Sequence, residues 1–367
     1  MSSNGVRTVR PTSAGQQAAL QSSRLPRPEL VADNVWAIAA PIPEGSVTYT
    51  LSYVLLSSDS ACFSILDPGW DSPGNLEALH RSLGLIGLTL EHLSTVVATH
   101  HHPDHLGIAA TLRAMTGARV VLSREERAVL THQLSPELRS PASYSRVLEA
   151  WGVPAARRGE LTAAFARPPA FSDIEPDLLL DDGDVLDLGS HSLTALATPG
   201  HTGGHLCFAD NERKLLYTGD HILPQIHSGF GLGSRPGDKP LPDYLTSLQS
   251  LQRFGGYEVL PGHEFRFRGL DARAAEICKH HLRRTQRIAD LLPELGDASV
   301  WDYACRLHGA GWPRLHGFFL HAALRQTELH LELARSGLLE GLVARCPEPG
   351  TETNTGDFPS VSAGAPG

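Results

Sequence analysis

The segment Thr99-His100-His101-His102-Pro103-Asp104-His105-Leu106-Gly107 places four imidazoles and one carboxylate within six residues, directly after an apolar run. Imidazole nitrogen and carboxylate oxygen are the donors that zinc and similar borderline divalent cations take up. A loop leaving a strand end can turn His100 and His102 toward one point and Asp104 and His105 toward a neighbouring one. Pro103 stiffens the turn between the pairs and removes a competing amide donor. Three further strand ends each deliver a potential donor, in Thr198-Pro199-Gly200-His201, Tyr217-Thr218-Gly219-Asp220 and Leu260-Pro261-Gly262-His263. In each, a glycine precedes the donor and permits the tight turn that presents it. An accidental histidine-rich surface loop would explain the first segment, but not four separate strand exits ending on His or Asp.

Side chains on four loops meet only if the preceding strands lie side by side. Val35 to Ile38, Leu51 to Leu56 and Ala61 to Leu66 read as successive strands, the last ended by Asp67-Pro68-Gly69. Leu76 to Leu85 reads as a helix, Ser94 to Thr99 as a buried strand, Leu106 to Thr116 as a helix and Arg119 to Leu122 as a strand. Strands resume at Val185, Leu193, Leu206 and Leu215. Leu245, Leu248 and Leu251 mark a helical face before the strand Tyr257 to Leu260. This alternation is that of an α/β fold. Residues 1–28 lack periodicity and are predicted to form a disordered arm, as are residues 346–367 a disordered tail. Between them, residues 29–268 are predicted as the main domain, with residues 135–166 a helical cap insertion, and residues 269–345 as a C-terminal helical domain. In the cap, Tyr144, Leu148 and Trp151 fall at helical spacing, a stripe that serves packing more often than ligand contact.

In order and spacing, the H-x-H-x-D-H segment followed by a single His, an Asp and a final His resembles the metallo-β-lactamase superfamily, over roughly Val31 to Glu264. The resemblance implies a four-layer αββα sandwich. It also implies two metal ions, with His100, His102 and His201 on the first, Asp104, His105 and His263 on the second, and Asp220 bridging both. His101 occupies a position the pattern leaves free. Asp67 matches an acidic position with a supporting role, although a plain turn aspartate reads equally well. His205 is expected to support the site or to be structural, not to ligate. Zinc (Zn2+), two per chain, suits the donors, as do iron and manganese. Such a pair generates a hydroxide from water near neutral pH, and Asp104 is the expected catalytic residue that orients it and relays a proton.

Composition narrows the reading. A formal charge of −9 gives no overall electrostatic footprint for nucleic acid, although it leaves room for a local basic patch. The C-terminal cations Arg283, Arg284 and Arg287 are matched in sequence by Glu276, Asp290 and Glu294, so a solvated helix face is expected there. The five cysteines are scattered, without a Cys-x-x-Cys pair, which argues against a disulfide framework and a thiolate zinc site. No apolar run suits a signal peptide or a membrane span, so the expected compartment is the cytoplasm. His263 follows Asp220 by 43 residues, too few for the extra domain of the nucleic-acid-processing branch. Gly219 to Pro224, Pro240 to Leu245 and the segment around His280 to Arg284 resemble lactamase-like hydrolases with a small winged-helix C-terminal domain. That resemblance implies hydrolysis of an ester, thioester or lactone of a small-molecule acyl substrate. The alternatives are single-stranded RNA cleavage with the same metals, iron-dependent oxidation of a thiol or persulfide, and a non-catalytic metal-binding regulatory role. Whether the chain forms a homo-oligomer is left open.

Overall fold

Every residue of Tyr49–Leu56 is buried, which a strand achieves only when both of its faces are covered. Leu51, Tyr53 and Leu55 enter a core between two sheets, whereas the alternating Val54 and Leu56 enter a core beneath helices. That alternation defines the architecture. A computed structural model describes residues 9–43, 47–165, 173–231 and 234–346.

The chain opens with β1 (Arg10–Pro11), α1 (Ala14–Gln21), β2 (Glu29–Ala32), β3 (Val35–Pro41), β4 (Tyr49–Leu56) and β5 (Phe63–Leu66). Then come α2 (Pro73–Leu85), β6 (Leu93–Val97), α3 (Pro103–Leu106), α4 (Ala109–Thr116), β7 (Arg119–Ser123) and α5 (Arg124–Gln133). Helices α6 (Pro136–Arg139), α7 (Pro141–Ala150) and α8 (Ala155–Phe165) precede β8 (Leu178–Leu180), β9 (Val185–Asp187), β10 (Ser192–Ala197), β11 (Leu206–Asp210) and β12 (Leu215–Gly219). Next are α9 (Pro240–Ser250), β13 (Glu258–Pro261), β14 (Phe267–Arg268) and α10 (Leu270–Ala289). The described chain closes with α11 (Leu292–Leu295), α12 (Val300–His308), α13 (Gly317–Arg335) and α14 (Leu339–Arg345).

One sheet runs β2-β3-β4-β5-β6-β7-β8 and the other β1-β14-β13-β12-β11-β10-β9. Between them Tyr53, Leu66, Val97, Phe208, Tyr217 and Leu260 interlock, with the Tyr53 and Tyr217 rings edge to face. Leu79, Leu83 and Leu112 of α2 and α4 cover the outside of the first sheet. Leu241, Leu245 and Leu248 of α9, with Ile277 of α10, cover the outside of the second. The result is the expected four-layer αββα sandwich.

The parallel pairing of β12 with β13 brings Gly219 opposite Pro261, so the loops leaving both strands emerge together. Gly262 N–H donates to the Gly219 carbonyl at 2.7 Å, and Leu206 N–H to the Thr99 carbonyl at 2.9 Å, tying the loop after β6 to the second sheet. The four donor-bearing segments therefore meet at one rim of the sandwich.

Two expectations need amendment. Residues 10–21 form β1 and α1, not a loose arm: Ser13 caps α1, and Gln16 Oε1 accepts Arg266 N–H at 2.9 Å. These anchors are polar and carry no apolar periodicity, so a reading from periodicity passes over them. The expected tail falls, after Cys346, outside the described residues. The C-terminal region is helical as expected, but no strand follows β14 among the described residues, so they contain no β wing. The inserted α7 and α8 pack directly on the C-terminal helices. Tyr144, Leu148, Trp151 and Leu161 share one core with Trp312, Leu320 and Leu324. Among the described residues no helix is long and apolar enough to cross a membrane.

Candidate metal centre

Three imidazole nitrogens converge on the first point. His100 Nε2 lies 3.0 Å from His102 Nδ1, and His201 Nε2 lies 3.2 Å from the former and 3.0 Å from the latter. Tetrahedral zinc with Zn–N distances near 2.05 Å would separate its ligand nitrogens by about 3.3 Å, so the triangle is close to a zinc face. Burial, reinforced by the neighbouring imidazoles, holds His100 and His102 well below the ordinary histidine pKa. Their lone pairs are thus available to a cation.

The second point is acidic. His263 Nε2 lies 3.3 Å from Asp104 Oδ2 and 3.1 Å from Asp220 Oδ1, and His105 Nε2 lies 3.3 Å from the same Asp220 oxygen. The other Asp220 oxygen, Oδ2, points back to His201 Nε2 at 3.7 Å. One carboxylate therefore faces both points. Burial alone would raise Asp104 and Asp220, but His105 and His263 hold the first at about 2 and the second well below the ordinary range. Burial opposes a charge on His263 too, yet the adjacent carboxylates raise it to about 10. This half of the site draws positive charge. His105 Nε2 and Asp220 Oδ1 are buried without a hydrogen-bond partner, a costly arrangement that a cation between them would relieve. The sets His100/His102/His201, His100/His105/Asp220 and Asp104/His105/His263 each lie close enough to hold one ion.

The rings are fixed from behind. His105 donates its Nδ1–H to Asp67 Oδ2 at 2.9 Å, His201 to the Gly229 carbonyl at 2.6 Å and His263 to the Tyr49 carbonyl at 2.9 Å. Each bond sets the tautomer that turns Nε2 toward the centre. Asp67 is thus no plain turn aspartate. It also accepts Thr99 N–H and Thr99 Oγ1–H, at 2.8 and 2.9 Å, and adopts a left-handed φ of 54° to do so. His205 stands aside: its Nδ1 bonds Thr198 Oγ1 at 2.8 Å, and its ring packs against His100.

The glycines before the donors serve two different ends. Gly219 has φ of 45°, a turn that favours glycine. Gly262 instead makes room, because a Cβ there would sit 2.7 Å from both Asp220 Oδ1 and His105 Cε1. Gly262→Ala is expected to displace those two groups and reduce turnover about tenfold to 100-fold, as sub-ångström misplacement at a reacting centre does. Elemental analysis beside kcat/KM tests this: unchanged metal content and unchanged rate would show that the gap tolerates the methyl.

Reading along the chain missed Glu126. It is fully buried on α5 and holds two donor loops at once. It accepts His101 N–H at 2.8 Å and the His101 ring N–H, and from the other loop Thr202 Oγ1–H at 2.8 Å and Gly204 N–H at 2.9 Å. His101 links this carboxylate to His100 and His102 on either side of it. The available signal was Ser123-Arg124-Glu125-Glu126, but that pattern reads as a helix cap, and Ser123 does accept Glu126 N–H at 2.8 Å.

Comparison with known proteins identifies the family. The chain is 32% identical over 171 residues to the acyl-coenzyme A thioesterase MBLAC2 of Bos taurus, covering 46% of this chain and 54% of that protein. It is 27% identical over 198 residues to the hydroxyacylglutathione hydrolase GloC of Haemophilus influenzae, covering 54% of this chain and 76% of that one. The chain spans about half the length of the thioesterase relatives it matches. A metallo-beta-lactamase family protein of Thermus thermophilus superposes with a TM-score of 0.66 at 28% identity, over 83% of this chain and 94% of that one. Residues 45–263 match the family model described as the metallo-beta-lactamase superfamily, and that stretch contains every donor of the site: the chain belongs to this superfamily.

Proposed function

We propose that this chain hydrolyses an acyl thioester at a pair of divalent cations, held by His100, His102 and His201 on one side and Asp104, His105 and His263 on the other, with Asp220 between. The observation that carries the reading is the division of Asp220, whose two oxygens face the two donor sets. Zinc is the proposed metal, since the donors are nitrogen and oxygen and the first triangle has its dimensions. The thioester class is favoured over an ester or a lactone by the names of two relatives, an acyl-coenzyme A thioesterase and a hydroxyacylglutathione hydrolase.

Cations bound there would make water a nucleophile near neutral pH and polarise the acyl oxygen. The protein's part is orientation. The Asp104 side chain retains 20% exposure, so it can hold and orient an incoming water by a hydrogen bond on the open side of the centre. Water adds to the acyl carbon, the carbon–sulfur bond breaks, and the thiolate leaves and takes up a proton. The nitrogens of His105, His201 and His263 that face away are tied to Asp67, Gly229 and Tyr49, so the donors need not reorganise as charge develops.

The purified protein loaded with zinc should release thiol from acyl-coenzyme A and hydroxyacyl-glutathione. It should lose that activity to a chelator and bind about two metal ions per chain. Cleavage of a labelled single-stranded RNA without thioester turnover would replace this reading with the nuclease one. Oxygen consumption by an iron-loaded form would replace it with the dioxygenase one. Full metal occupancy with no turnover of any probe would leave a binding protein.

A further inference from the structure

Helix α10 presents two opposed faces. Ala274, Ile277, Cys278 and Ile288 belong to its buried side. On the other side Lys279, His280, Arg283, Arg284 and Arg287 line one cleft with Glu276. In sequence these side chains look neutralised by Glu276, Asp290 and Glu294, but in the fold Asp290 and Glu294 find partners outside the cleft, while Glu276 stays in its lining and is held by Arg273, with His227 3.8 Å away. Glu276 accepts from Arg273 at 2.5 Å, and Arg273 is itself buried and anchored to the Leu223 and Ile226 carbonyls. Asp290 takes the Gln286 amide, and Glu294 pairs with Arg306 at 2.7 Å.

The cleft cations meet neutral groups. Arg284 Nη2 bonds His308 Nε2 at 2.9 Å, and Arg287 Nη2 bonds the Leu307 carbonyl at 2.9 Å. The Nε of Arg284 is buried without a hydrogen-bond partner, and burial together with Arg287 pushes its guanidinium down to about 10. A cluster that strains its own arginine in this way is complementary to an anion with several oxygens, for which guanidinium forks are suited.

The cleft is close to the metal centre through one loop. Gly229 accepts from His201, and Ser228 Oγ–H donates to the Asp220 carbonyl. Next to them His227 lays its ring on that of His280, with centroids 4.0 Å apart and planes 15° from parallel. One residue separates His227 from Gly229, so the loop that supports His201 also touches the lining of the cationic cleft. Ile226, in the same loop, is 40% exposed and offers an apolar contact beside the cleft.

We infer that the cationic face of α10 binds the phosphates of a coenzyme A thioester, while the pantetheine arm reaches along residues 225–229 to present the thioester to the metal centre. The inference rests on the thioester reading above and narrows its substrate class. Pantetheine has the reach of an extended peptide of about four residues, roughly 14 Å, and can run along such a loop. Glutathione, with carboxylates on a short tripeptide, would leave most of these cations unmatched.

The test compares acyl-coenzyme A with the same acyl group on N-acetylcysteamine, which carries no phosphate. In a K279A/R283A/R287A variant the ratio of kcat/KM for the first over the second should fall about tenfold or more. R81A, at a distant exposed ion pair on α2, should leave that ratio unaltered. Calorimetry with coenzyme A on the metal-free protein gives a readout independent of turnover, and its affinity should fall in the triple variant and with added salt. Equal ratios in wild type and variant, with thioesters still cleaved, overturn this inference alone. Absence of turnover with both thioesters overturns the parent reading, and coenzyme A binding still decides the site. Binding of single-stranded RNA to the same residues, without coenzyme A binding, would assign the face to nucleic acid.

Discussion

Replacing Asp220 with alanine is expected to reduce thioester turnover at least about 10³-fold, some 4 kcal/mol of transition-state stabilisation, and to leave the protein unable to retain a pair of metal ions. The expectation follows from the position of its oxygens. Oδ1 stands between His105 and His263, and Oδ2 faces His201, so its loss opens both donor sets together. It also removes the carboxylate that most favours positive charge on His263. Asp104→Ala should behave differently, because Asp104 touches only the His105/His263 side. That variant should keep about one ion on the histidine triangle and still lose the bulk of its turnover, since the group proposed to hold the attacking water is gone. Elemental analysis and kcat/KM on one thioester separate the two. An Asp220→Ala protein with full metal content and normal rate would dismiss the shared-carboxylate arrangement.

The difference between what was legible in the sequence and what was not is a difference between local and non-local order. Four of the seven donors lie within His100 to His105, and the other three each follow a glycine at the end of an apolar run. Their convergence needs only that β6, β10, β12 and β13 end at one rim. Strand periodicity reveals the layers for the same reason, as in β4, whose alternate residues go to different cores. The supports behind the donors are another matter. Tyr49 and Gly229 act through backbone carbonyls, which have no residue signature. Asp67 sits in an Asp-Pro-Gly turn that needs no function to exist. The cations of α10 looked balanced because opposite charges were counted along the chain, whereas Glu294 is spent on Arg306 and Glu276 on Arg273. Pairing is a property of the fold.

Glu126 is the strongest case of a support that sequence hides, and its removal should have the second largest effect. Burial would raise its pKa, yet His101 and Thr202 hold it below the ordinary range, so it is a buried anion sustained by four donors. In Glu126→Ala those donors lose their acceptor. Breaking a buried charged network of this kind costs about 3–5 kcal/mol, which lowers Tm by roughly 5 °C in a chain of this size. The functional loss is separable from that instability. The carboxylate joins the loop of His100 and His102 to the loop of His201, so without it the histidine triangle loses its fixed spacing while keeping all three nitrogens. Metal affinity should therefore fall about 10–100-fold, as it does when groups supporting metal ligands are removed. Turnover at low zinc should fall with it and recover substantially at saturating zinc. Leu248→Ala, a cavity in the core under α9, is the control: it should lower Tm by a similar amount without moving the zinc titration. If both variants titrate alike, Glu126 holds up the fold and nothing more; if only Glu126→Ala shifts, the spacing of the first cation's nitrogens depends on a residue that touches none of them.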